Sequence, residues 1–251
     1  MNYKSLTLGG ALGEMKGIVL AAGRGSRMGH LTMDKPKCLL KIRGNSLLSM
    51  QLKAFSENGI TEIGVVTGYS REKLALEDIK EFYNPDWENS NMVVSLTCAE
   101  EWLKNDTCIV SYSDIFYEST AVGLLKNADA SIAITYDPNW RVLWEKRFFN
   151  PLTDAETFKI NNESHVLEIG GIPESMDEIE GQYMGLIRFT PDSWKTAKII
   201  LNSLSSQDRN RLYMTELLNT IATDSVLQLL AIAYNGDWGE VDSPADLNVY
   251  A

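Results

Sequence analysis

The sequence predicts an α/β fold with a mostly parallel central mixed sheet flanked by helices. Three observations predict it. Lys16-Gly-Ile-Val-Leu-Ala21 is a short apolar run that stops at a glycine-rich loop, as the first strand of a βαβ unit does. Further apolar runs then alternate with amphipathic stretches at crossover spacing, which implies parallel pairing. After residue 150 the pattern changes to a hairpin, a long strand and two helices, which makes the second half mixed.

The elements follow in order. Leu47 to Asn58 has helical apolar spacing and stops at Asn58-Gly59, a C-terminal signal. Glu62 to Thr67 reads as a second buried strand. Asn91 to Leu103 reads as a helix capped by Ser90 or Asn91. Thr107 to Ser111 and Ser131 to Tyr136 are the next strands. Glu156 to Ile160 and His165 to Ile169 flank Asn161-Asn-Glu-Ser164 as a hairpin. Gln182 to Phe189 is a strand, Pro191 to Leu204 and Leu212 to Thr223 are helices, and Val226 to Tyr234 is a late strand. No internal repeat or linker interrupts them. The expected organisation is an N-terminal extension (1–14), with Met15 as a candidate start, and one domain (15–251). Within it, 15–136 is the nucleotide-binding half and 137–251 the acceptor half.

Composition narrows the function. The chain has 251 residues, 44% of them hydrophobic, enough for one large core. No apolar run approaches a membrane span, and the first 14 residues lack the charge and apolar pattern of a secretory signal. Three scattered cysteines, Cys38, Cys98 and Cys108, fit a reducing cytoplasm rather than a disulfide framework. With only His30 and His165, a His/Cys zinc site is not expected. A net charge of −11 disfavours nucleic acid as a partner. Against that background Arg24, Arg27, Lys35, Lys37, Lys41 and Arg43 form a basic island, interrupted by Asp34, that suits a small anionic ligand.

The island lies around Leu20-Ala-Ala-Gly-Arg-Gly-Ser-Arg-Met-Gly29. A dinucleotide fingerprint requires glycine where Met28 stands, and a Walker A loop requires Gly-Lys-Ser/Thr where Gly29 is followed by His30. Small residues Ala21, Ala22 and Gly23 instead allow a base and ribose to approach the backbone. Gly25 and Ser26 expose N–H groups to phosphate. Arg27 adds a forked cation, and Lys35-Pro-Lys37 returns ammonium groups on a stiffened turn.

Leu20-Ala-Ala-Gly-x-Gly-Ser-Arg-Met28, followed by Asp34-Lys-Pro-Lys-Cys-Leu39, resembles the signature of the sugar-phosphate nucleotidyltransferase superfamily. The resemblance implies a Rossmann-like nucleotidyltransferase fold of the GT-A type. It implies that the loop (Leu20, Ala21, Ala22, Gly23, Gly25, Ser26) holds a nucleoside triphosphate and that Arg27 and Lys37 act on its phosphates in catalysis. Thr67 and Ser113, each at the end of a strand, complete the loop side of the nucleotide-binding set. The chemistry calls for Mg²⁺ held by carboxylates. Asp114 stands just past a strand, and Asp242 stands in Val-Asp-Ser-Pro. From the residues alone each reads equally as a turn or cap. The resemblance implies that they are the metal pair, with Glu240 and Asp246 as nearby alternatives.

Asn91-Met-Val-Val-Ser-Leu96 resembles a segment of the bacterial CTP-dependent branch, whose members act on phosphocholine, 2-aminoethylphosphonate or phosphoglutamine in surface or capsule precursor synthesis. It implies that Asn91 and Ser95, one helical turn apart, read the base of CTP. Tyr136-Asp-Pro-Asn-Trp140, Leu143-Trp-Glu-Lys-Arg-Phe148 and Asp154-Ala-Glu-Thr-Phe-Lys159 resemble the same branch. Trp140, Trp144, Tyr183 and Trp238 are candidates to surround a cationic acceptor, with Glu216 as counter-charge. Arg147, Lys37 and Lys159 are candidates for the acceptor phosphate, since the Glu-Lys-Pro element of hexose-specific relatives is replaced by Glu168-Ile-Gly-Gly-Ile-Pro173. A glycosyltransferase on the related fold would want Asp-x-Asp, and Asp114-Ile-Phe116 lacks the second acid. The expected partners are therefore a nucleoside triphosphate and a small phosphorylated acceptor. Sugar-1-phosphates and other nucleotides stand as the alternative, and a homo-oligomer is left open.

Overall fold

A computed structural model describes residues 15–74, 77–223 and 227–250. The proposed extension 1–14 lies outside them, as does Val226, the expected start of the late strand. Seven strands form the main sheet: β1 (Lys16–Ala21), β2 (Ile63–Thr67), β3 (Lys80–Tyr83), β4 (Cys108–Tyr112), β5 (Ile132–Asp137), β6 (Gln182–Phe189) and β7 (Leu229–Ala233). Their order across the sheet is β7-β5-β6-β4-β1-β2-β3. All neighbours pair in parallel except β6, which runs antiparallel to both β4 and β5.

The helices are α1 (Leu47–Glu57), α2 (Met92–Thr97), α3 (Glu100–Leu103), α4 (Ser119–Lys126), α5 (Trp140–Arg147), α6 (Pro191–Ser203), α7 (Ser206–Arg211), α8 (Met214–Thr223) and α9 (Asp246–Val249). The apolar run of β1 is continuous because both faces of the sheet are covered. Ile18 and Leu20 pack in a core with residues of α2, α3, α6 and α8. Val19 and Ala21 point the other way, into a core with residues of α1, α4 and α5. The two-residue period of the strand divides one hydrophobic run between two layers.

Several elements depart from the sequence reading: it does not include α4, α5, α7 or β3, and one expected helix is interrupted. The helix expected over 91–103 is broken: Cys98 and Ala99 donate to carbonyls three residues back, and α3 restarts after Ala99. Asn91 occupies the cap position of α2, but its side chain donates to the carbonyl of Arg211 instead of capping. The edge strand β3, Lys-Glu-Phe-Tyr, has only four residues, too few for a periodic signal.

Three small ribbons complete the structure. Phe158–Ile160 pairs with Val166–Ile169 as the expected hairpin. Lys41–Ile42 pairs with Asn45–Ser46. Trp238–Glu240 pairs antiparallel with Ile115–Tyr117, with Glu240 opposite Ile115. That last pairing returns the C-terminal segment to the carboxyl ends of β1 and β4, where open α/β sheets bind ligands.

Candidate active site

The glycine loop is held by its own backbone and by one buried plug. Gly25 has φ +67°, and its carbonyl accepts from the Met28 N–H and the Thr32 hydroxyl, each at 3.0 Å. Met28 is fully buried in a cluster with Leu40, Ile42, Leu47, Phe116, Val241 and Tyr250. The residue that breaks the dinucleotide pattern is thus an anchor for the loop. A Cβ on Gly25 would lie 2.9 Å from Cδ of Lys37. Gly25→Ala is therefore expected to displace Lys37 and lower turnover at least tenfold, while strain at positive φ costs about 1 kcal/mol. Steady-state kinetics alongside thermal unfolding check both halves of this.

Lys37 follows Pro36 on a single helical turn and is buried, with 9% of its side chain exposed. Its Nζ donates to Asp114 Oδ2 and Asp242 Oδ1, both at 2.8 Å. Arg27 Nη2 donates to the same Asp242 oxygen at 2.8 Å, but 68% of its side chain is exposed. Asp114 is delivered by the turn after β4. Asp242 is delivered by the C-terminal ribbon, where the Val241 N–H donates to the Asp114 carbonyl at 2.9 Å. Burial opposes the Lys37 ammonium, yet the two aspartates outweigh it and raise its pKa above the ordinary lysine value. For Asp242, burial works against the charged form, but Lys37, Arg27 and Arg147 prevail and hold the carboxyl below its usual range.

Asp114, Glu240 and Asp242 bring carboxylate oxygens within 4.8 Å of one another. Asp114 Oδ1 is buried without a hydrogen-bond partner. Three hard oxygen donors, one of them unsatisfied, suit a small divalent cation. Enclosure, then the charges of Asp242 and Asp114, push Glu240 well above the carboxylate range against the opposing charges of Arg147 and Lys37.

These groups stand at a cavity of about 440 Å³. Leu20, Ala22, Gly23, Arg27, Asn91, Ser95, Asp114 and Asp242 line it, as do Trp144, Tyr183 and Trp238. The two tryptophan rings lie 6.2 Å apart, and their indole N–H groups donate to Asp154 and Asp137. Ser95 Oγ accepts from the buried Asn84 amide at 3.0 Å, which leaves its proton free to donate.

Other sequence candidates fall elsewhere. Ala21, Gly25 and Ser26 support the loop without lining the cavity, and Lys37 stands behind Asp114 and Asp242. Thr67 donates to Glu81 at 2.6 Å, and Ser113 is a turn residue outside the lining. Glu216 is exposed on α8, where its Oε2 accepts from the Tyr213 N–H at 2.7 Å; it caps the helix and does not face the acceptor wall. The side chain of Arg147 is enclosed among Glu240, Asp242 and Asp246, so it is not free to hold an acceptor phosphate. Lys159 pairs with Glu168 on the hairpin, and the Trp140 indole donates to the Ile179 carbonyl. Of the basic island, Arg27 and Lys37 reach the carboxylates, while Arg43 pairs with Asp237 and Arg24 lies over Tyr69.

The acids that do line the acceptor wall are Asp154 and Glu156, together with Thr215 and Tyr213. Asp154 ends a turn and Glu156 precedes the hairpin, so no periodic pattern marked them; the resemblance of Asp154-Ala-Glu-Thr-Phe-Lys159 to the CTP-dependent branch was the available signal.

The chain is similar to known proteins along most of its length. Residues 17–167 match the MobA-like NTP transferase domain. The chain is 36% identical to a CTP:phosphoglutamine cytidylyltransferase of Campylobacter jejuni, over 94% of this chain and 98% of that one. In fold it resembles the inositol-1-phosphate CTP transferase of T. maritima (TM-score 0.72, 21% identity, 95% of each chain). It also resembles the CTP:phosphocholine cytidylyltransferase of Streptococcus pneumoniae (TM-score 0.68, 16% identity, 94% of this chain and 97% of that one). The chain therefore belongs to the MobA-like NTP transferase domain family and is a nucleotidyltransferase.

Proposed function

We propose that the protein transfers a cytidylyl group from CTP to a small phosphorylated or phosphonate acceptor that also carries a cationic nitrogen. The observation that carries the reading is the meeting of Lys37 with Asp114 and Asp242, each at 2.8 Å, beside a cavity that Asn91 and Ser95 also line. Asn91 uses Nδ2 on Arg211, so its Oδ1 remains to accept from the exocyclic amine of cytosine. The Ser95 hydroxyl, supplied with an amide donor by Asn84, is left to donate to a ring acceptor. The similarity to a CTP:phosphoglutamine cytidylyltransferase over nearly the whole chain supports CTP and an acceptor of this size.

In the proposed reaction an acceptor oxygen attacks the α-phosphorus of CTP. A new P–O bond forms as the bond to the β-phosphate oxygen breaks, and pyrophosphate leaves. The acceptor oxygen is already ionised near neutrality, so no general base is required. The residues act by placement and charge neutralisation. Lys37 is set to turn from the carboxylates to the α-phosphate, and Arg27, the more exposed cation, to the departing pyrophosphate. Asp114, Asp242 and Glu240 would hold Mg²⁺, which would neutralise phosphate charge and order the triphosphate.

The acceptor wall supports the cationic nitrogen. Glu156 accepts only a 3.3 Å contact from the Thr215 hydroxyl, and no salt bridge reaches Glu156 or Asp154 among the described residues. Burial raises the pKa of both acids. Arg27 is the one cationic side chain in the described lining. Half-buried carboxylates whose partners are neutral donors, with no salt bridge, are sites for a ligand cation.

Glu156→Gln is therefore expected to raise KM for the acceptor about tenfold and leave KM for CTP unchanged. Acceptor affinity should fall as pH drops through the raised pKa of Glu156, and this step should be missing in the variant. Equal effects on both substrates would reject the assignment. The overall reading is tested by pyrophosphate release, crossing four nucleoside triphosphates with phosphocholine, aminoethylphosphonate, phosphoglutamine, glycerol phosphate and sugar-1-phosphates. Preference for a sugar-1-phosphate, or for another nucleotide, would overturn it.

A further inference from the structure

Arg147 is the most enclosed charge in the site, with 0% of its side chain exposed. Its guanidinium faces three acids: Nε donates to Asp246 Oδ1 at 2.9 Å, Nη1 to Glu240 Oε2 at 3.3 Å, and Nη2 lies 3.5 Å from Asp242 Oδ2. The rings of Trp144 and Phe148 lie 5.2 and 5.0 Å from it. Asp246 in turn holds the segment that carries Asp242. Its Oδ2 accepts from the N–H groups of Asp242 and Ser243 at 2.9 and 2.7 Å, and from the Ser243 hydroxyl at 3.1 Å.

We infer that Arg147, with Asp246 as its anchor, is a positioning residue of the catalytic centre: it orients Glu240 and Asp242 toward the cavity, where they would hold the cation. The inference rests on the metal reading of those carboxylates. Arg27 contacts Asp242 from the cavity side, where substrate phosphates compete for it, and the Lys37 ammonium is set to leave Asp242 for the α-phosphate. Arg147 approaches from the opposite, sealed side and has no route to substrate, so its charge stays with the acids throughout turnover. A planar fork held between two rings loses little further entropy when it fixes two carboxylates at once. Arg147 also lies one helical turn beyond Trp144, which lines the cavity, so α5 joins the acceptor wall to the carboxylates through a single rigid element.

The test measures Mn²⁺ binding to the nucleotide-free protein by electron paramagnetic resonance, with thermal unfolding as control. Arg147→Met, which keeps most of the side-chain volume, is expected to weaken Mn²⁺ affinity ten- to a hundredfold, the usual effect of removing a group that orients metal ligands. It should lower kcat more than it raises KM for CTP. Asp246→Asn is the second variant, should Arg147→Met fail to fold; it preserves shape and should weaken Mn²⁺ affinity in the same direction. Arg147→Lys should not restore binding, because one ammonium cannot span three acids. A folded Arg147→Met or Asp246→Asn protein with wild-type Mn²⁺ affinity overturns the inference. Failure of the wild-type protein itself to bind Mn²⁺ would instead remove the metal reading on which it rests.

Discussion

Lys37→Met lowers turnover on the order of 1,000-fold, the scale set by removing one preorganised donor from a site of charge development. Methionine keeps the stem that lies against Gly25, so the loop should retain its path. The lost ammonium leaves Asp114 and Asp242 facing each other with only Arg27 and Arg147 to compensate. Breaking a buried pair in this way destabilises by about 3 kcal/mol. A divalent cation can replace the missing charge. The midpoint of thermal unfolding in the variant is therefore expected to rise more steeply with added Mg²⁺ than that of the wild-type protein. Near-normal turnover in a folded variant would remove Lys37 from the mechanism.

Asp242→Asn has a comparable effect for a different reason. One carboxylate is contacted by Lys37, Arg27 and Arg147, so its neutralisation leaves three cations short of an anion while the shape of the site is kept. Turnover should again fall on the order of 1,000-fold, and Mn²⁺ binding should be lost. The variant also has a pH signature. The folded pKa of Asp242 lies below its unfolded value of about 3.9. Its contribution to stability is thus full above the unfolded value and is lost as pH falls through the lowered folded one. Asp242→Asn should flatten the acid limb of the stability–pH curve and leave its neutral region lower but parallel. Urea midpoints measured between pH 3 and 7 separate these outcomes. An unchanged acid limb would show that Asp242 is not the ion pair's acidic partner.

The legibility of the fold follows from the range of the forces involved. β1, β2, β4, β5 and β6 were readable because alternation and β-branched runs are local, and burial on both faces makes them continuous. The end of α1 was readable because Gly59 takes φ +71°, which few other residues adopt. β3, with only four residues, and α5, with exposed Arg141, Glu145 and Lys146, carry weaker local signals and were not readable. The break after α2 depends on how Leu96, Ala99 and Leu103 share one core, which no single window of sequence encodes.

The sequence by itself determined the loop chemistry. The small residues after β1, Arg27 and the Lys-Pro-Lys turn are short-range patterns whose residue types suit a phosphate ligand, while the Asp after β4 read from its own residues as a turn. Tertiary structure decided which charges meet. From the sequence Arg147 looked as available for a phosphate as Lys37, and Glu216 stood as the counter-charge, while the structure puts Glu156 on the acceptor wall. The pairing of Trp238–Glu240 with Ile115–Tyr117 brings Asp242 to Asp114, and α5 then turns Arg147 inward beneath both. Charge selection of this kind depends on burial and on distances of a few ångströms between segments far apart in the chain, and both arise only when the sheet has closed around them.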